Sequence, residues 1–132
     1  MSSVNRPTSP HLSIYRPQIS SVLSILHRIT GIALYAGTGL LVYWLWTLAY
    51  LPEKHAQLLV CMRSTIGQLM LIGWTAAFYY HFSNGIRHLF WDMGKGYSLP
   101  VVNKSGWLVL VTTVLMTYFT WNCIYTNSGV SL

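Results

Sequence analysis

Two short runs bring hydroxyl, imidazole and guanidinium groups together: Ser24-Ile25-Leu26-His27-Arg28 and His81-Phe82-Ser83-Asn84-Gly85-Ile86-Arg87-His88. Both sit at the margin of long apolar stretches, where a bilayer makes ionisable groups costly unless they have partners and so marks them as functional. Ser24, His27, Arg28 and Gly31 fall at i, i+3, i+4 and i+7, one face of a helix. A Ser hydroxyl donates to a carbonyl oxygen. An Arg adds a fixed cation with five donors that can polarise the carbonyl or hold a carboxylate. That pairing suits a quinone, whose head group needs donors at its carbonyls and whose tail needs lipid access. The same spacing also fits a Ser bonded back to its own helix and an Arg reaching up to lipid phosphate. By spacing alone the latter is the commoner arrangement, because interfacial Arg is frequent.

His81 precedes Arg87 by six residues, which puts it roughly 9 Å deeper along a helix axis, and His88 follows it by roughly 10.5 Å on the same face. That separation approximates the width of a haem, whose iron takes an axial imidazole while its propionates reach charged donors. Gly85, at i+4 from His81, removes a side chain where a flat macrocycle would lie. Ligation needs a neutral imidazole whose other nitrogen is hydrogen-bonded. A His bonded across to a neighbouring helix fits the pattern equally well.

The elements that must position these groups are membrane helices. Only 8% of the 132 residues are charged, against roughly 25% in an average soluble domain. Hydrophobic residues make up 53%, and six Trp with nine Tyr suit anchorage at both interfaces. A net charge of +6 invites a nucleic-acid reading, but the eight basic residues are scattered and flank apolar stretches, so no nucleic-acid partner is expected. Uncharged stretches run from Ile29 to Leu51, Ser64 to Ile86 and Ser105 to Thr126, each long enough to span. Pro17 and the Ser20-Ser21 pair mark the first helix start, Pro52 its stop, and Gly94, Gly96 and Pro100 the end of the second. The expected fold is all-α: an N-terminal inner-face arm over 1–20, a three-helix membrane anchor domain over 21–126 with helices near 21–51, 64–92 and 105–126, and a tail over 127–132. The aromatic run Tyr43-Trp44-Leu45-Trp46 reads as an interfacial belt, and Ala33 with Gly37 as a close helix contact. Cys61 and Cys123 have no ligand spacing and read as packing residues, and His55 receives no role. The first fifteen residues show neither an apolar signal core nor an Arg-rich transit pattern.

Arg6, Arg16, Arg28, Arg87, Lys95 and Lys104 fall on one side of the three spans, and Lys54 and Arg63 on the other. The positive-inside rule places the N-terminus in the cytoplasm of a bacterial inner membrane or, alternatively, in the matrix of a mitochondrial one. The start of the first helix and the end of the second then share a leaflet, and the two polar runs face each other.

Three segments together, Arg6-Pro7-Thr8-Ser9-Pro10-His11-Leu12-Ser13-Ile14-Tyr15, Ser24 through Gly31 and His81 through Asp92, closely resemble the cytochrome b membrane-anchor family of succinate dehydrogenase, respiratory complex II. The resemblance covers nearly the whole chain and implies one half of a heterodimeric helical anchor bundle. It implies Ser24 and Arg28 as ubiquinone-binding residues, His81 as one axial ligand of haem b, and His27, Arg28 and His88 around the propionates. The second axial ligand would come from a second membrane anchor subunit. The N-terminal motif, His11 included, would lie against the iron–sulfur subunit. Succinate oxidation would belong to a flavoprotein subunit, because this chain has neither a dinucleotide-binding glycine motif nor a Cys cluster. An anchor of a fumarate reductase would use the same residues in the reverse direction. A small ion or proton channel using His81 and Arg87 is the third reading, but a channel should carry polar residues along several helices, and the last span has no charge.

Overall fold

The computed structural model describes residue 14 and residues 16–128. The N-terminal motif, His11 included, lies almost wholly outside them. Four helices follow in order: α1 (Ile19–Tyr50), α2 (Pro52–Arg63), α3 (Thr65–Asp92) and α4 (Leu99–Ser128). α1 has 32 residues, about 48 Å of helix. That exceeds the ~30 Å hydrocarbon core, so its first turns, carrying Ser20 to Arg28, reach past the apolar stretch.

α2 is a helix where the sequence suggested only a connection. Pro52 at its first position needs no partner for a missing N–H. It meets α3 at 81°. Ser64 caps α3 by accepting from the Gly67 backbone N–H at 3.2 Å. A Cβ on Gly67 would collide with the Cys61 carbonyl and the Met62 backbone, so the sharp turn depends on glycine there. α1 and α4 are each long and apolar enough to cross a bilayer, and the bent α2–α3 pair makes a third candidate span.

α3 ends in a Schellman arrangement. Gly94 takes φ 74°, its N–H donates to Trp91 O at 2.8 Å, and the Lys95 N–H donates to Phe90 O at 3.0 Å. Pro100 does not stop α3, as its place after Gly96 suggested. It occupies the first turn of α4, which begins at Leu99, six residues before the expected start.

α3 is the central helix, packed against both α1 and α4. One small core ties the three together: Leu23 of α1, Tyr80 of α3 and Val109 of α4. The Tyr80 hydroxyl donates to the Leu23 carbonyl at 2.6 Å. Gly106 lets α4 approach, since a Cβ there would lie 2.8 Å from Leu23 Cδ1. Most other large apolar side chains face outward, Tyr35 at 85% exposure among them. So much exposed apolar surface requires lipid or partner helices as its solvent.

Candidate functional site

The start of α1 and the end of α3 meet at one end of the bundle. Between them lies a cleft of about 400 Å³ lined by Ser20, Ser21, Ser24, Ile25 and Arg28 of α1 and Arg87, His88 and Trp91 of α3. The helical period explains the α1 wall: Ser21, Ser24, Ile25 and Arg28 recur at three- and four-residue steps on one face. The Ser24 side chain makes no hydrogen bond with the described residues, and the Arg28 side chain makes neither a hydrogen bond nor an ion pair with them. Thr30, Thr38, Thr75 and Thr112, in contrast, all donate back to the carbonyl four residues earlier, at 2.7–2.9 Å. Ser24 is therefore not engaged with its own helix.

Beside the cleft, three imidazoles cluster. The rings of His27 and His81 stack with centroids 3.8 Å apart and planes 9° from parallel. The His88 ring lies 5.1 Å from that of His27. His81 Nδ1 sits 3.1 Å from the His27 carbonyl oxygen and 3.2 Å from Thr30 Oγ1. A carbonyl oxygen only accepts, so Nδ1 carries the proton and Nε2 keeps its lone pair. Nε2 has no hydrogen-bond partner among the described residues. Gly31 makes the room, since a Cβ there would stand 3.2 Å from His81 Cε1, whereas a Cβ on Gly85 would meet only ordinary contact, 4.0 Å from His27 Cε1. His27 Nδ1 is buried without a hydrogen-bond partner. Among the described residues no three His, Cys, Asp or Glu side chains converge to hold a bare ion. A haem needs no such cluster, because its macrocycle supplies four nitrogens and the protein supplies axial imidazole. The residues present fit that group: one imidazole fixed in the ligating tautomer, an unsatisfied polar atom beside it, and cationic donors a turn or two away.

Arg87 has a different task from that of Arg28. It is 6% exposed and reaches across to α4. Its Nε donates to Ser105 Oγ at 3.0 Å and its Nη2 to the Val102 carbonyl at 3.1 Å. Its Nη1 donates to Asn84 Oδ1 at 3.3 Å. Because Arg can only donate, that contact fixes the Asn84 amide, whose Nδ2 then faces His88 Nε2 at 3.3 Å. The guanidinium carbon also stands 4.1 Å over the Trp91 ring, a cation–π contact. Arg87 thus pins α3 to α4 and steadies the His88–Trp91 wall of the cleft. A guanidinium held in this way is not a mobile pore group.

Every candidate from the sequence falls at this end: Ser24 and Arg28 in the cleft, His88 on its opposite wall, His27 and His81 stacked behind it. Sequence reasoning missed Ser21, Trp91 and Thr30. Ser21 shares the Ser24 face and was within reach of the helical period. Thr30 was not, because its relevance rests on a contact with a residue 51 positions away. His55, left without a role, has Nδ1 3.3 Å from Thr47 Oγ1 and so ties α2 to α1.

Residues 2–120 match the family described as succinate dehydrogenase/fumarate reductase transmembrane subunit. The chain is 50% identical over 116 residues to the succinate dehydrogenase cytochrome b556 subunit of Rickettsia conorii, covering 88% of this chain and 90% of that one. It is 38% identical to the subunit of the same name from Paracoccus denitrificans, covering 88% and 89%. It is 43% identical over 113 residues to the mitochondrial succinate dehydrogenase cytochrome b560 subunit of Sus scrofa, covering 84% of this chain and 67% of the relative.

Proposed function

The chain belongs to the succinate dehydrogenase/fumarate reductase transmembrane subunit family, and from that membership we propose that it forms part of a ubiquinone site and one half of a haem b site in a succinate:ubiquinone oxidoreductase. The observation that carries the reading is the pairing of Ser24 and Arg28, neither engaged with a described residue, in a cleft that opens beside the fixed imidazole of His81.

Ser24 and Arg28 bind the quinone head group through its carbonyl oxygens. Hydrogen bonds from a hydroxyl and a guanidinium strengthen as negative charge builds on those oxygens, so the pair stabilises the partly reduced, charged head group more than the bound quinone, before protonation yields the neutral quinol. Trp91 supplies an aromatic wall, and Ile25 an apolar flank towards the lipid. Full reduction takes two electrons and two protons. The electrons come from succinate by way of a flavoprotein subunit and an iron–sulfur subunit, the protons from water at the membrane surface. His81 would hold haem b through Nε2, with His27, Arg28 and His88 as donors to its propionates. When bound, haem would supply a one-electron redox centre. The second iron ligand would come from a second membrane anchor subunit, against which the outward apolar faces of the bundle would pack. The cleft end faces the bacterial cytoplasm, or the matrix in a mitochondrion, which places it where soluble partners dock.

Arg28→Leu in the assembled complex tests this reading. Losing one charge-assisted donor removes about 1.5–3 kcal/mol, so ubiquinone reduction should fall tenfold or more. Succinate oxidation with a soluble artificial acceptor should hold. Parental ubiquinone reduction would place the pocket elsewhere and leave Arg28 as an interfacial anchor.

A further inference from the structure

The contacts that hold His81 come from one short stretch of the opposite helix. His27 contributes a stacked ring at 3.8 Å and a carbonyl oxygen 3.1 Å from Nδ1. Thr30 adds a hydroxyl oxygen 3.2 Å from the same nitrogen. Gly31 is the gap that admits the ring, since a Cβ there would stand 3.2 Å from Cε1 and 3.7 Å from Nδ1. The Thr30 hydroxyl hydrogen is directed to its own helix, with Oγ1 2.8 Å from Leu26 O and 3.0 Å from His27 O. Towards His81 the Thr30 oxygen can therefore only accept. The Nδ1–H is shared between two acceptors, one backbone and one side chain.

We propose that Thr30 is a positioning residue for the haem ligand: by accepting from His81 Nδ1–H it sets the ring's orientation and its donor strength, and so the reduction potential of the iron. The inference rests on the haem reading above. An acceptor at Nδ1–H pushes the imidazole towards imidazolate character and raises its basicity as a ligand. A more basic ligand stabilises ferric over ferrous iron and lowers the potential. Removing one of two acceptors reverses part of that effect. The backbone acceptor stays, so the tautomer and the ligation are kept.

Thr30→Val preserves the side-chain shape while deleting the acceptor, and its back-bond to the helix is dispensable. In the purified complex the variant should retain haem, and its midpoint potential should rise. At the parental midpoint the ferrous-to-ferric ratio should climb from unity to about threefold, the scale of a partial change in one hydrogen bond. Thr30→Ser, which restores an acceptor, should return the midpoint towards the parental value. Thr30→Ala repeats the deletion with a smaller residue should the Val variant assemble poorly. Gly31→Ala should reshape the low-spin ferric spectrum, because the ring must move to admit the Cβ. The parallel His81→Ala variant separates the two levels of the argument. If His81→Ala loses the haem spectrum while both Thr30 deletions leave the midpoint unchanged or lower it, Thr30 does not tune the ligand. If His81→Ala keeps the parental haem spectrum, the ligation reading fails and the Thr30 inference falls with it.

Discussion

The two ends of this bundle use similar residues for opposite purposes. At the cleft end, polar side chains from α1 and α3 converge, and Ser24 and Arg28 remain without partners among the described residues. At the other end, α1, α2 and α3 enclose an apolar groove of about 750 Å³ lined by Ala36, Gly37, Leu41, Trp44, Leu58 and Trp74 among others. The polar groups there are engaged with one another. Ser64 caps α3, Thr47 lies against His55, and Tyr125 donates to Gln68 at 3.3 Å. The indole N–H groups of Trp44, Trp74 and Trp121 remain unsatisfied there. The contrast teaches that an unsatisfied donor alone does not mark a site in a membrane helix bundle. A hydroxyl and a guanidinium that converge on one cleft, both without side-chain partners among the described residues, do.

The strongest test of the contrast is His81→Ala. It should abolish the b-type haem absorbance of the assembled complex, read in reduced-minus-oxidised visible spectra. A full-strength α-band would break the assignment of this end as the redox end.

Arg87→Met should come next. It severs three hydrogen bonds to Asn84, Val102 and Ser105 and leaves Asn84, which is fully buried, without its donor. An unsatisfied buried group costs about 1–3 kcal/mol, so the thermal midpoint of the complex should drop. The apparent ubiquinone KM should rise as the His88–Trp91 wall loosens. A stability loss with an unchanged KM would separate the α3–α4 latch from the cleft.

Ser24→Ala should have a smaller effect, since a neutral hydrogen bond is worth about 0.5–1.5 kcal/mol. Ubiquinone reduction should slow by roughly three- to tenfold, with succinate oxidation by an artificial acceptor intact. Unaltered turnover would assign the donor role to Arg28 alone.

The smallest effect on turnover should come from the groove end. A Cβ on Gly37 would run into the Trp74 indole, so Gly37→Val should force repacking that costs about 1–3 kcal/mol. Thermal melting should record that loss while ubiquinone reduction and the haem spectrum stay parental. A turnover defect as large as that of Ser24→Ala would show that the two ends are coupled.

Much of this protein was legible in its sequence. The membrane class follows from the length of uncharged apolar runs, a local property that no tertiary contact can alter. The shared face of Ser24, His27 and Arg28 follows from the helical period, and the grouping of both polar runs at one end follows from consecutive apolar helices running in opposite directions. The family was legible because the runs from Ser24 to Gly31 and from His81 to Asp92 resemble those of its members. What the sequence did not contain was the relation between helices. The 81° turn from α2 into α3 rests on the close approach of two backbones at Gly67. The two arginines looked alike in the chain. Only the approach of α4 commits Arg87 to Val102 and Ser105 and leaves Arg28 to the cleft. Likewise Thr30 reads as one more helix threonine until α3 brings His81 against it from 51 residues away. Local periodicity fixes which side chains share a face. The rotation and depth at which two faces meet depend on small residues such as Gly31 and Gly106, and those were decided by tertiary packing.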